Sequence, residues 1–190
     1  VNQGGGVEKR YGSVLGDNIP FASAGTRIFG YLSVAAITAD VVLASDGTHI
    51  QKRTGGVGNG TWDYVGFATG TATFTNGSPT VTRATGAVDW RLQMVATDTI
   101  RLDADGTFYT IQSVDSVSQI TLTANFTGTT ATGAFTERQH LQSAFGGPDA
   151  VMFKDKLYIG PANSPTTGTA GLMTYDGTET RRVASSTVLN

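Results

Sequence analysis

Val41-Val42-Leu43-Ala44-Ser45-Asp46-Gly47-Thr48-His49-Ile50-Gln51 reads as an apolar strand that runs into Asp-Gly-Thr and comes straight back. The same grammar recurs where Ile100-Arg101-Leu102 meets Asp105-Gly106-Thr107 and Phe108-Tyr109-Thr110-Ile111 returns. It recurs again where Gly171-Leu172-Met173-Thr174-Tyr175 meets Asp176-Gly177-Thr178 and Thr180-Arg181-Arg182-Val183 returns. Asp-Gly suits a two-residue type I′ hairpin, because both central residues there need positive φ, which Gly and Asp tolerate better than most. Asp46, Gly47, Asp105, Gly106, Asp176 and Gly177 are therefore the expected hairpin turns. A chain written this way is a set of antiparallel hairpins, and the expected fold class is all-β.

Composition agrees with that reading. Thirty Thr and 25 Gly among 190 residues suit strands and tight turns rather than helices. Charged residues make up 15%, against roughly 25% in ordinary globular chains. The net charge is −2, and no basic run exceeds Lys52-Arg53 or Arg181-Arg182. Neither nucleic-acid wrapping nor electrostatic attachment to a membrane is expected on that balance. No apolar stretch approaches the eighteen or so residues of a membrane span, and no signal peptide is visible. The chain opens with Val1 rather than Met, so processing or preceding residues are allowed for. Cysteine is absent, which excludes disulfides, thiolate catalysis and Cys-zinc sites.

Lysine is scarce in a way that bears on assembly. Only Lys9, Lys52, Lys154 and Lys156 occur, none of them between residues 57 and 150. Open sheets guard their edges with Lys, Pro or inward charges. Thr-rich strands without such guards should close on themselves or be covered by a partner, and an assembled state is the expectation.

Three segments differ in texture. Residues 1–66 open on Gly4-Gly5-Gly6, continue through strands near 28–31 and 39–50, and pass a Gly-rich loop, Gly55-Gly56-Val57-Gly58-Asn59-Gly60, into Thr61-Trp62-Asp63-Tyr64-Val65. Residues 67–136 are richer in Thr, with strands expected at 71–75, 80–83, 99–103, 107–114, 119–124 and 133–136. That spacing reads as a compact sandwich or barrel. A helical turn over 88–95, with Val88, Leu92 and Val95 apolar and Trp90 and Met94 beside them, would plug one end. Residues 137–190 return to the first texture, with strand-like runs flanking Lys154-Asp155 and a later loop carrying Pro161, Asn163 and Pro165. The turns at Asp46 and Asp176 look like one hairpin seen twice. The expected organisation is therefore a set of antiparallel, propeller-like sheets (1–66 and 137–190) interrupted by an inserted small β-sandwich or barrel module (67–136). Two sheets are too few to close a propeller, so either the chain continues past Asn190 or the sheets close against other subunits.

The middle segment resembles a small β module of tailed-bacteriophage virion proteins. The resemblance rests on Gly70-Thr71-Ala72-Thr73-Phe74, Pro79-Thr80-Val81-Thr82, Gly86 with Trp90, Asp98-Thr99-Ile100, Tyr109-Thr110-Ile111-Gln112-Ser113-Val114-Asp115, and Gln119-Ile120-Thr121-Leu122 with Gly128-Thr129-Thr130. It departs at Thr97, where Gly ordinarily precedes the Asp. The flanks resemble the sheets of phage neck and tail proteins of β-propeller type, in which Lys-Arg-Pro-Gly follows a Gly-rich opening; here Lys9-Arg10-Tyr11-Gly12 lacks the Pro. The resemblance implies a non-enzymatic virion protein of the neck, tail or head-tail connection. Its partners would be copies of itself and other virion proteins, and its location the virion, assembled in the host cytoplasm. The alternative is a receptor- or glycan-binding module of a tail spike or fibre, reading a host surface glycan.

Candidate chemistry is sparse. His49 and His140 are the only histidines, with no His-x-His or His-x-x-x-His spacing, and are expected at surface or turn positions rather than as metal ligands. Asp46, Asp105, Asp115, Asp155 and Asp176 fall in turns, which accounts for them without a paired-carboxylate glycosidase site. Asp103-Ala104-Asp105-Gly106 offers two carboxylates to calcium but lacks the further acidic ligands of a calcium loop. The 55–60 loop lacks the Gly-Lys-Ser/Thr of a phosphate loop. Trp62, Tyr64, Phe67, Trp90, Phe108 and Tyr109 read as core or cross-strand residues. Trp62, Tyr64 and Tyr109 are the candidate ligand or partner contacts, should they share an exposed face. No catalytic residue, cofactor or metal is expected.

Overall fold

A computed structural model describes residues 27–31, 41–54, 61–141, 149–163 and 170–183. The Gly-rich opening, the 55–60 loop and Pro165 lie outside these residues. The first sheet runs β1 (Arg27–Tyr31), β2 (Val41–Ser45), β3 (Ile50–Thr54) and β4 (Thr61–Tyr64), paired in chain order. Six strands follow: β5 (Thr71–Phe74), β6 (Thr80–Thr85), β7 (Thr99–Leu102), β8 (Tyr109–Ser116), β9 (Gln119–Leu122) and β10 (Ala131–Arg138). They close into a barrel in the order β10-β5-β6-β9-β8-β7. The last sheet, β11 (Asp149–Phe153), β12 (Lys156–Asn163), β13 (Ala170–Tyr175) and β14 (Thr180–Arg182), again pairs in chain order. Every pairing is antiparallel. The protein is all-β.

The barrel follows from period-two burial. In β5, β7 and β9 alternate residues are buried, so Phe74, Ile100, Leu102, Ile120 and Leu122 meet inside with Phe126 and Phe135. The outward positions carry Thr, and their hydroxyls pair across strands, Thr73 with Thr132 at 2.7 Å and Thr71 with Thr85 at 2.8 Å. Closure removes sheet edges, so a stretch without lysine needs no guard there. The plug is one 3₁₀ turn, Trp90–Leu92, rather than a helical turn over 88–95. Asp89 caps it by accepting from the Arg91 N–H at 2.9 Å. Trp90 and Met94 enter the core, and Trp90 meets the Phe135 ring edge-on at 5.7 Å. Leu92, expected inside, is turned outward because a tighter turn shifts the inward face.

The two flanking sheets share a second core across the barrel's interruption. Leu43 and Ile50 from β2 and β3 pack with Leu157, Ile159, Met173 and Tyr175 from β12 and β13, and Leu141 closes the cluster. Each such side chain contributes about 1.5–3 kcal/mol by leaving water.

The turns differ from the expected type I′ form. Positive φ falls on Gly47 (89°), Gly106 (78°) and Gly177 (103°), and not on Asp46, Asp105 or Asp176. The Asp side chain serves instead as an acceptor. Asp46 Oδ1 takes the Thr48 and His49 N–H groups at 2.8 and 2.6 Å. Asp176 Oδ1 takes those of Thr178 and Glu179 at 3.0 and 3.1 Å. These two turns are one device used twice. Asp105 and Gly106 differ, since both donate backbone N–H to the Leu102 carbonyl at 3.0 Å, in a longer loop. The turn with positive φ at both central residues is Lys154-Asp155 (46° and 61°), joining β11 to β12 with Phe153 opposite Lys156.

Candidate functional site

The chain enters the barrel at 65–70 and leaves it at 138–141, and these two connections lie together. Phe67 and Glu137 exchange backbone hydrogen bonds at 2.9 and 2.8 Å. Gly66 lies so close that a Cβ there would stand 1.6 Å from the Glu137 carbonyl oxygen, so only glycine fits. The last hairpin seals this seam. Glu179 Oε2 accepts from the Ala68 N–H at 2.8 Å, Glu179 Oε1 from the Thr69 hydroxyl at 2.7 Å, and Thr180 N–H reaches the Gly66 carbonyl at 3.0 Å.

Beneath this seal lies a charged cluster that contacts in sequence do not foretell. Arg182, on β14, forks onto Asp98, just before β7, through Nη1–Oδ2 at 2.7 Å and Nη2–Oδ1 at 2.8 Å. Asp98 also accepts the Val95 N–H at 2.8 Å and the His140 N–H at 2.9 Å. Arg182 Nη1 donates to the Gln93 carbonyl as well. Glu137, at the end of β10, places Oε1 3.5 Å from Arg182 Nη1, but neither of its carboxyl oxygens has a hydrogen-bond partner. The side chains of Asp98 and Glu137 are 0% exposed and that of Arg182 is 1% exposed. Burial, then the adjacent Asp98 charge, raises the Glu137 carboxyl well above the usual carboxylate range, against the pull of Arg182. Asp98 and Arg182 are the hydrogen-bonded pair, and Glu137 stands beside them with its ionised form disfavoured by burial. The three enclosed side chains tie β14 to the barrel beside β7 and β10.

A second, shallower arrangement runs along the seam between the first sheet and the barrel. The two histidines meet here, with ring centroids 4.8 Å apart, and His49 also touches the Tyr64 ring edge at 5.6 Å. The Arg138 guanidinium lies 4.2 Å from the Tyr64 centroid and 3.7 Å from that of Phe108. His49 Nε2 and His140 Nδ1 are buried without hydrogen-bond partners. Burial, then the neighbouring His49, lowers the His140 imidazole below its ordinary value. The expected surface histidines are thus partly buried partners of each other, because the barrel's exit connection crosses the first hairpin: Leu141 N–H donates to the Thr48 carbonyl at 2.7 Å.

Trp62 and Tyr64 alternate onto one face of β4 and are half-buried. Tyr109 does not join them; it is 9% exposed in the barrel core, its hydroxyl 2.9 Å from that of Thr127. Its place in an inward-facing run of β8 decides that. Asp103 is engaged by the Thr136 hydroxyl at 2.8 Å and by Arg101 Nε at 3.2 Å. Among the described residues no group of three or more His, Asp or Glu could hold a metal ion. No described helix is long and apolar enough to cross a membrane. A cleft of 230 Å³ opens between the first sheet, the barrel and the last hairpin, lined by residues that include Lys52, Asp63, Arg101 and Thr178. Its charged groups have partners: Arg101 reaches Asp63 at 3.2 Å, and Lys52 Nζ donates to the Gly177 carbonyl at 3.4 Å. Searches of protein-family models, curated proteins and solved structures return no match to this chain.

Proposed function

We propose that the protein is a structural component of a tailed-phage virion, at the neck, the tail or the head-tail connection, and that it acts through subunit contacts. The observation that carries this reading is the barrel–sheet clamp. A closed module is inserted between two sheets that share one core, and its two connections and the last hairpin are locked by Arg182, Asp98 and Glu179. Such a body suits passing load between neighbours, since breaking the buried pair that ties β14 to the barrel is strongly destabilising. The string resemblance of residues 70–130 to phage virion modules supports the setting. In the cleft between the first sheet, the barrel and the last hairpin Arg101 pairs with Asp63 and Lys52 reaches the Gly177 carbonyl, which suits a mechanical part.

Deleting the coding sequence from the genome that carries it tests the proposal. Electron microscopy is expected to show heads and tails unjoined or tails incomplete, with infectivity lost and restored by supplying the protein. Intact, infectious particles without it would refute the proposal. Glycan reading is less favoured, because Tyr109 is interior and the Tyr64 ring is occupied by Arg138 and His49.

A further inference from the structure

The outer edges of the sheets are unequally covered. That of β14 is taken by the barrel's entry connection through Thr180 and Gly66. β4 lies against the barrel through Arg101 and Asp63. Among the described residues nothing pairs with the outer edges of β1 and β11, the first strands of the two sheets, and β11 is the one whose exposed face is described. β11 contains no Lys or Pro, and its register with β12 is regular from Asp149 to Phe153. In sequence Pro148 precedes the strand, Asp149 opens it and Lys154 follows it, so only Ala150 to Phe153 is without the usual guards against pairing.

The middle of its outward face is apolar, between Asp149 at one end and Lys156, across from Phe153, at the other. Ala150 and Met152 turn toward the shared core, leaving Val151 64% and Phe153 48% exposed on the other face. Tyr158 is the cross-strand partner of Val151, and Leu172, 44% exposed, lies over Gly160. Three of the five exposed large hydrophobics among the described residues thus belong to one face of one sheet.

The charges at the two ends of β11 are self-complementary. Asp149 begins the strand and is held by no described cation; its Oδ1 accepts only its own neighbour's N–H, from Ala150, at 2.9 Å. Lys154 ends it, and its Nζ is carried back over the Phe153 ring, 5.3 Å from the centroid. Antiparallel pairing of β11 with itself, centred on Val151, sets each Asp149 opposite the second copy's Phe153, beneath the second copy's Lys154. The two-fold axis makes that contact twice.

We infer that β11 is a two-fold interface, on which a second copy of this chain adds its own β11 antiparallel and continues the sheet from four strands to eight. The contact is isologous, the same patch on both sides, with Val151 facing Val151 on the axis and each Phe153 facing the second copy's Asp149. The inference deepens the assembly reading and rests on it.

The chain contains no cysteine, so Val151→Cys introduces one thiol on the axis. Facing Cα atoms in an antiparallel pair lie about 4.5–5.5 Å apart, within the disulfide range of about 4.4–6.8 Å. Under mild oxidation Val151→Cys is expected to form a covalent dimer at least about tenfold faster than Leu92→Cys, a thiol exposed on the barrel. By analytical ultracentrifugation, Val151→Lys should raise the dimer dissociation constant at least about tenfold while leaving the circular dichroism spectrum unchanged. Asp149→Lys and Lys154→Asp should each weaken the dimer, and the double swap should restore it. A monomer at all concentrations, a Val151→Cys cross-link no faster than that of Leu92→Cys, or open heterologous polymers would overturn the interface. A monomer that still enters particles with other proteins would end this interface alone; intact particles without the protein would end the virion reading.

Discussion

Glu137→Gln gives a direct test of the clamp, because the structure fixes the sign of its effect at every pH. The Glu137 carboxyl is enclosed between Asp98 and Arg182, and its folded value is raised well above the 4.5 of the free side chain. Above that value the unfolded chain releases a proton that the folded chain keeps. Stability therefore falls as pH rises, and the part contributed by this proton is fully present only below the unfolded value. While the folded form stays protonated, the slope approaches about 1.4 kcal/mol per pH unit for this single site. Gln keeps the neutral shape and has no proton to lose. Urea unfolding, followed by fluorescence of Trp90 in the barrel core, should give the smallest difference between the two proteins near pH 4, below the 4.5 of the free side chain. Glu137→Gln should then become progressively more stable than the parent toward pH 8. Taking the difference cancels the other titrating groups shared by both proteins. Parallel curves, or a variant losing ground as pH rises, would show that Glu137 is ionised in the folded state and refute the charge balance assigned to the cluster.

Other outcomes follow from neighbouring geometry. Arg182→Met strands the buried Asp98 charge and should cost about 3–5 kcal/mol by urea unfolding, where an exposed pair would cost under about 1 kcal/mol. Thr97 holds φ at 82° while exposed, a strained state for a β-branched side chain, so Thr97→Gly should stabilise by about 1 kcal/mol, read as a higher urea midpoint. His140 faces His49, Asp98, Arg182 and Asp46, and its folded value is lowered. Its contribution is present above the free value of 6.5 and lost as pH falls through the window below it, so His140→Gln should flatten the stability curve between pH 7 and 5.

Much of the fold is legible because barrel strands obey period two. The runs at 71–75, 80–83, 99–103 and 119–124 fall on β5, β6, β7 and β9 to within a residue or two. The Asp-Gly-Thr signature locates hairpins correctly at Asp46 and Asp176 but not their geometry, since a carboxylate that accepts N–H groups releases Asp from positive φ. The Lys154-Asp155 turn is located by the strand-like runs that flank it, but its geometry is not, since its residues carry positive φ without the Gly or Asn that announces it. The clamp is the least legible part. Asp98 and Arg182 stand 84 residues apart, and each alone reads as an ordinary surface charge until sheet closure brings them together. Thr97 is a middle case, because the resemblance marks glycine at that position and the backbone there retains a glycine-like φ.

The two-fold contact inferred on β11 fixes the mass of the chain in solution. Light scattering on the purified chain, eluted over a wide concentration range, measures that directly. The account predicts a mass of twice the 19.8 kDa chain, held to low micromolar concentration and lost in Val151→Lys. A mass of 19.8 kDa at every concentration would contradict it.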